Sequence, residues 1–400
     1  MSHPLPVLAA SVIRHPAILR ARPSVNRFLL RYMMKFRPRR VGGHVILHSH
    51  LPPLNSRAYG RFVREHLLGG SRGPSHAQIG LTDACPQHCA YCYNKGRQGV
   101  AMDAATLRRT ISDLKALGVF WLGLTGGEPL LNREIVDLTA VASPDCAVKL
   151  FTTGMGLTPA LADDLRRAGL FSVSVSLDHG TAEKHDAIRG YPGAFNAAMR
   201  AIGMFKEAGL HTGVSAVLST GMIRSDGVEP FLEFLNGLGL DEAWLSEMKP
   251  SLQGPSDPAA IATAEERRSL IRLQDRWNRS ARMTVNYLGH FEAGAHFGCN
   301  AGTKMIYVDA FGEVSPCVFA PLSFGNVRQT PLAAIWDDMR SSFAPGEDCF
   351  MLRNQGLLRS RAGAGLPIAP SASRELVKEI HPEAPGRFVG LLDRSRRSST

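Results

Sequence analysis

This 400-residue chain predicts an α/β fold of parallel strands joined by crossover helices. Three observations carry that reading. Short apolar runs at 77–81, 120–124, 147–152, 172–177, 212–217 and 242–246 have strand length. Amphipathic stretches at 104–117, 134–141, 159–168, 194–208, 228–237 and 263–280 alternate with them. Cys85, Gly126, Thr153 and Asp178 fall just past strand ends, where the chemistry of parallel βα folds is placed.

Composition sets the frame. An apolar fraction of 44% supports a sizeable core. No apolar run is long enough to span a bilayer, and the start lacks the pattern of a secretory signal. Seven cysteines, an odd number, favour metal ligation in a reducing cytoplasm over a disulfide framework.

Residues 1–75 read as a basic, partly helical N-terminal extension. They hold thirteen Lys and Arg and one acid, Glu65, while the rest of the chain is nearly neutral. Ile18 to Phe36 mixes apolar residues with Arg20, Arg22, Arg27, Arg31 and Lys35. Such a segment packs its apolar face on the body, lies on an anionic membrane surface through residues 1–40, or meets phosphate. Nucleic acid is the least favoured of the three. His44, His48 and His50 stand close in sequence. Metal ligation is weakly supported there, because no cysteine or carboxylate is near; Pro52-Pro53 suggests an ordered loop instead, and a place at the substrate mouth ranks only somewhat above ligation.

Cys85, Cys89 and Cys92 then follow the first strand at spacing CxxxCxxC. Thiolates suit zinc, copper(I) or iron–sulfur clusters. Zinc sites use paired CxxC or histidines instead, and three thiols on one short loop make poor disulfide partners. Three ligands on a loop can hold a [4Fe–4S] cube with one iron left open.

With Tyr91 before the last cysteine, this loop resembles that of the radical S-adenosylmethionine (radical SAM) enzymes. Gly126-Gly127-Glu128-Pro129 after its strand resembles that family's GGEP motif. Phe151 to Gly154, Val173 to Asp178, and His185 to Gly190 resemble its third and fourth strands with their loops. The matches run in family order over roughly residues 77–220. The resemblance implies a partial (β/α)6 barrel over residues 76–285. It implies a [4Fe–4S] cluster on Cys85, Cys89 and Cys92 with S-adenosylmethionine on its open iron. It places residues 126–129 and Thr153 at the cofactor, with Tyr91 flanking the adenine or the cluster. Ser176 and Asp178 are expected at the ribose or methionine carboxylate, and Arg189 at that carboxylate. An external one-electron reductant of flavodoxin or ferredoxin type is implied as well.

After about residue 285 the pattern changes. Cys299, a hairpin with turn Gly312, Cys317, and Phe324 to Val327 resemble the SPASM or twitch extension of these enzymes. Residues 286–360 are therefore expected to form a small α+β domain, with Cys349 as a natural third ligand. A full SPASM domain carries seven cysteines and this region has three, so one auxiliary iron–sulfur cluster is expected. Cys146, alone near a turn, reads as structural. Residues 361–400 drift to Arg, Ala, Gly, Pro and Ser and are expected to be a largely disordered tail, with a short helix at 374–380.

The function expected is hydrogen abstraction from a C–H bond of an organic substrate: small molecule, lipid or peptide. A nucleic-acid-modifying radical enzyme and a non-catalytic electron carrier are the competing classes. The carrier would not need the GGEP turn. The location expected is cytoplasmic, at the membrane periphery if the basic start docks there.

Overall fold

The structure is a computed structural model that describes residues 4–143, 145–250, 257–280, 283–344, 346–361 and 365–397. The N-terminal segment forms α1 (Pro4–Arg14), a 3-10 turn at Pro16–Arg20, and α2 (Pro23–Met33). An antiparallel hairpin follows, β1 (Arg39–Val41) with β2 (His44–Ile46), then α3 (Arg57–Arg61) running into wider turns at Phe62–Leu68.

The barrel begins with β3 (His76–Gly80), α4 (Ala104–Ala116), β4 (Trp121–Thr125), α5 (Ile135–Ala142), β5 (Ala147–Thr152) and α6 (Pro159–Arg167). It continues through β6 (Leu170–Ser176), α7 (Ala182–Arg189), α8 (Ala194–Glu207), β7 (His211–Leu218), α9 (Thr220–Arg224), α10 (Val228–Gly237) and β8 (Glu242–Glu247). The chain then adds α11 (Ala264–Trp277), β9 (Thr284–Tyr287), α12 (Leu288–Glu292), β10 (Met305–Val308) and β11 (Val314–Ser315). It ends with α13 (Leu332–Ser342), α14 (Phe350–Arg361), α15 (Pro370–Lys378) and α16 (Arg387–Arg397).

Local chemistry explains the boundaries. Asp103 caps α4 by accepting from the Thr106 N–H at 2.7 Å, and Thr158 caps α6 ahead of a proline at its first position. Thr263 and Glu266 make a reciprocal capping box on α11. Leu107, Ile111 and Leu114 recur at helical spacing and are buried, so α4 packs one stripe on the sheet. All five residues of β4 are buried, as expected of a parallel strand covered on both faces.

The sheet order is β11-β10-β3-β4-β5-β6-β7-β8-β9. Every pairing is parallel except β10 with β11. The six expected strands are β3 to β8. Two more parallel strands flank them, β9 beside β8 and β10 beside β3. The expected boundary at 285/286 thus falls inside β9, and the hairpin around Gly312 continues the barrel sheet.

One expectation about the ends needs correction. The tail is not largely disordered among its described residues: α15 and α16 are both helical. Leu376 and Val377 of α15 are buried in the main core, and Phe388 of α16 packs near Phe28 of α2, so apolar anchors among the polar residues hold them. The helix expected at 374–380 is α15, starting four residues earlier. The N-terminal extension packs its apolar face on the body, the first of the three readings given for it. Val25, Leu29, Tyr32, Met33 and Phe36 pack with Trp121, Ala147 and Phe171 at the start of the barrel strands. The extension therefore stoppers the lower end of the barrel. Among the described residues no helix is long and apolar enough to cross a membrane.

Candidate active site

The loop after β3 carries the first three cysteines and is tied down on several sides. The Gly127 and Glu128 N–H groups donate to the carbonyls of Thr82 and Ala84 at 2.7 and 2.8 Å. Asn94 donates to Asp83 at 2.6 Å, and Tyr93 shares a hydrogen bond with Thr125 at 2.7 Å. Arg97 donates to Asp309 at 2.9 Å, joining this loop to the β10–β11 turn. The glycines are required by this close approach. A Cβ at Gly127 would sit 2.3 Å from the Ala84 carbonyl oxygen, and one at Gly126, where φ is +122°, 2.4 Å from that of Thr82.

Glu128 faces inward and is fully buried. It accepts from the Leu130 N–H, the Thr152 hydroxyl, and both the N–H and hydroxyl of Thr153. Burial raises its pKa, and these hydrogen bonds pull against that. Its carboxylate thus joins the end of β4 to the end of β5, while Gly126, Gly127 and Thr153 face the cavity above. Pro129 opens a short 3-10 turn and is buried.

Asp178 is placed differently from expectation. Its Oδ2 pairs with Arg189 at 2.8 Å and accepts from the Tyr91 hydroxyl. Its Oδ1 accepts from the Val217 N–H at 2.9 Å. Both oxygens are engaged and the side chain does not line the cavity, whereas Ser176 and Arg189 do. Asp178 lies beyond the last residue of β6, where the alternation of faces along a strand lapses, so it does not follow Ser176 into the cavity. Arg189 is held in a buried pair, not a surface one. Burial is the largest influence and opposes its charge, but the Asp178 carboxylate together with Tyr91 and Cys89 more than offsets it, so its pKa lies above the ordinary arginine value. One Arg189 nitrogen stands 3.9 Å from the Cys89 sulfur.

Cys299, Cys317 and Cys349 open onto the same cavity as Cys85, Cys89 and Cys92. Paired hydrogen bonds between Cys299 and Gly346 hold the first of them near the start of α14. Burial pushes the Cys85 thiol up to about 11 and the thiols of Cys299, Cys317 and Cys349 up to about 12. Such groups ionise near neutrality only beside strong positive charge, which bound metal supplies. Among the described residues no three His, Cys, Asp or Glu side chains converge closely enough for one metal ion. Three soft thiol donors in each triad are the donor set that iron–sulfur clusters take. Cys146 lies elsewhere and is buried, donating to the Val119 carbonyl.

The cavity has a volume of about 520 Å³, within the range of small-molecule sites. Phe151, Trp244, Leu288, Phe291, Phe319 and Phe350 give it a largely apolar wall. Against that wall sits a charged trio which the sequence reading missed. Lys249 Nζ lies 2.9 Å from Glu247 Oε1 and 2.5 Å from Glu292 Oε2. Glu247 ends β8, so the rule that located Thr153 just past its strand would have found it. The three N-terminal histidines do not converge. His48 bonds the Tyr32 hydroxyl at 3.1 Å, His44 packs on Phe171, and only His50 reaches the cavity. Its ring lies 4.8 Å from that of His76 and 4.7 Å from that of Trp244. Below this floor Lys149, fully buried, donates to the Ser49 hydroxyl at 2.5 Å and sits 4.0 Å over the Trp244 ring.

A βα barrel whose first strand end carries three cysteines, capped by a second cysteine-bearing segment, defines an iron–sulfur radical enzyme. The chain belongs to the radical SAM superfamily: that family's model matches residues 79–235, and a SPASM iron–sulfur cluster-binding domain matches residues 299–351. The family's cofactors are a [4Fe–4S] cluster with S-adenosylmethionine and, in this domain, auxiliary iron–sulfur clusters. Among similar proteins, a PqqA peptide cyclase of Methylobacterium sp. (strain 4-46) is 30% identical over 280 residues, spanning 64% of this chain and 71% of that protein. An AdoMet-dependent heme synthase of Methanosarcina barkeri is 27% identical over 283 residues, spanning 64% and 80%. The crystal structure of Streptococcus suis SuiB bound to precursor peptide SuiA shares the fold at TM-score 0.59 and 15% identity, covering 78% of this chain and 80% of that one.

Proposed function

We propose that this protein removes a hydrogen atom from a C–H bond of an organic substrate seated between the two cysteine triads. The single observation that carries this reading is that both triads open onto one cavity. In this reading Cys85, Cys89 and Cys92 hold the first cluster and Cys299, Cys317 and Cys349 an auxiliary one. When bound, the first cluster supplies the electron that cleaves S-adenosylmethionine to a 5′-deoxyadenosyl radical, the species that takes the hydrogen.

The protein's own residues do the rest. Gly126, Gly127, Thr153 and Ser176 line the cofactor side, and Arg189 offers its guanidinium to a carboxylate there. Asp178 and Tyr91 fix the orientation of Arg189. The aromatic wall excludes water and stray hydrogen donors from the radical's reach. An auxiliary cluster held by Cys299, Cys317 and Cys349, which line the same cavity, would take up an electron leaving the substrate, a role suited to a net oxidation or a bond-forming step. The substrate's reacting part is compact and largely apolar, to match the wall. A peptide side chain fits this description and agrees with the peptide in the name of the PqqA peptide cyclase and the precursor peptide bound to SuiB. A one-electron reductant of flavodoxin or ferredoxin type completes the cycle.

The test is anaerobic reconstitution followed by iron and sulfide counting, then dithionite and S-adenosylmethionine. About eight irons per chain are expected, falling to about four in the Cys299→Ala/Cys317→Ala/Cys349→Ala variant. 5′-Deoxyadenosine should form only with Cys85, Cys89 and Cys92 intact. Clusters that bind no S-adenosylmethionine would sink the reading and leave an electron carrier.

A further inference from the structure

We propose that the N-terminal helices form a surface that docks this protein on an anionic lipid bilayer. Burial of one face of α1 and α2 against the barrel leaves the other faces in solvent, and those faces have an unusual composition. Val7, Leu8 and Ser11 of α1 are buried. The opposite side presents Leu5, Pro6, Ala9, Ala10 and Ile13, so this helix is apolar on both sides. Among the described residues six large apolar side chains are strongly exposed, and four of them lie in the first thirty positions. They are Leu5 at 49%, Ile13 at 81%, Leu19 at 67% and Leu30 at 46%. That concentration departs from the scattered single exposures of an ordinary surface.

Arginines are interleaved with these residues. Arg14, Arg20, Arg27 and Arg31 are exposed. None of the four pairs with a carboxylate among the described residues, and the first acid in the chain is Glu65. Beside Ile13 and Arg14 lies a polar cavity of about 740 Å³ lined by Arg14, His15, Arg57, Arg61, Arg64 and Lys115. Its two carboxylates are already engaged, Glu65 with Arg61 and Asp145 with Lys115. Arg14, Arg57 and Arg64 therefore face it without a counter-charge. A phosphate diester carried on a lipid matches that cavity, while the neighbouring aliphatic tips match the acyl boundary.

Charge and side-chain type decide between occupants. A second copy would set two strongly positive patches against each other in a symmetric interface. Single-stranded nucleic acid is gripped by aromatic stacking platforms, and the exposed large side chains here are aliphatic. An anionic bilayer satisfies both the aliphatic and the cationic parts at once. The proposal does not depend on the reaction assigned above.

The experiment uses the full reconstituted chain. It is floated with vesicles of equal parts phosphatidylglycerol and phosphatidylcholine, and separately with phosphatidylcholine alone. Binding to the anionic vesicles and not to the neutral ones is expected. Each basic residue near an anionic surface adds about 1 kcal/mol, so an Arg14→Gln/Arg20→Gln/Arg27→Gln/Arg31→Gln variant should lose roughly a hundredfold or more in partitioning. Ile13→Glu/Leu19→Glu should lose at least about tenfold without added salt sensitivity. Both variants should form 5′-deoxyadenosine in lipid-free buffer at the parent rate. Equal flotation with neutral vesicles, or no flotation of the parent, would overturn the proposal. So would a dimer in sedimentation velocity that these substitutions dissolve while vesicle binding stays unchanged.

Discussion

Removing one member of the Arg97–Asp309 pair should damage the protein more than removing both. Each side chain is 1% exposed, and the pair joins the first cysteine loop to the β10–β11 turn. Asp309 Oδ1 is separately used, accepting from the N–H groups of Phe311 and Glu313 at 2.9 Å each. Asp309→Asn keeps an acceptor for those two donors but strands a buried guanidinium, at a cost of about 3–5 kcal/mol. Arg97→Met strands a buried carboxylate at a similar cost of about 3–5 kcal/mol, and also loses the contact over the Tyr307 ring. The double variant Arg97→Met/Asp309→Asn buries no net charge. It leaves one amide group short of a partner, which costs roughly 1–3 kcal/mol. The assay is urea unfolding of all four proteins at matched iron content, with the iron retained after desalting as a second readout. Both single variants should lose more stability and more of the first cluster's iron than the double. If the double loses as much as the two singles added together, the pair is not acting as a mutually dependent buried unit and the reasoning fails.

Three further outcomes follow from the same geometry. Gly127→Ala should cost about 1–3 kcal/mol and halve or worse the iron retained at Cys85, Cys89 and Cys92, read by iron count, because its methyl would meet the Ala84 carbonyl. Lys149 has its pKa lowered by burial from 10.5 to about 7, with Glu242 opposing the shift. The unfolded chain therefore binds the extra proton between about pH 7 and 10.5, so this group makes stability rise with pH across that window and cost most below it. Urea midpoints measured through that range should climb in the parent, and a Lys149→Met variant should show a flatter profile. Lys249→Met should leave the buried Glu247 and the partly exposed Glu292 without the cation between them, lowering stability by about 3 kcal/mol at pH 8 with partial recovery at pH 5 as one carboxylate takes up a proton.

Periodicity made the barrel legible. β5 and α10 match their expected bounds to the residue, and most other units fall within two, because each strand is a continuous buried run flanked by a cleanly amphipathic helix. Helix α7 went unread because AEKHDAIR carries almost no apolar stripe. Pairing across the chain was equally hidden: no local pattern says that Met305–Val308 lies beside His76–Ile79. The site divides the same way. Cysteine spacing and glycine turns are local signals and located the two triads and the turn after β4. The inward role of Glu128 and the diversion of Asp178 to Arg189 depend on which neighbours arrive in space. The trio of Glu247, Lys249 and Glu292 joins a strand end to a helix more than forty positions on, and only the fold brings those together.

The pairing of β10 with β3 also has a consequence during synthesis. The first barrel strand is translated more than two hundred residues before the strand that covers its outer edge. At about 5–20 residues per second, that edge stays open on the ribosome for roughly ten to forty-five seconds. Through that interval its unpaired backbone is a template for pairing with another nascent chain. Chaperone supply and translation speed, more than the stability of the finished barrel, should then govern how much enzyme a cell recovers.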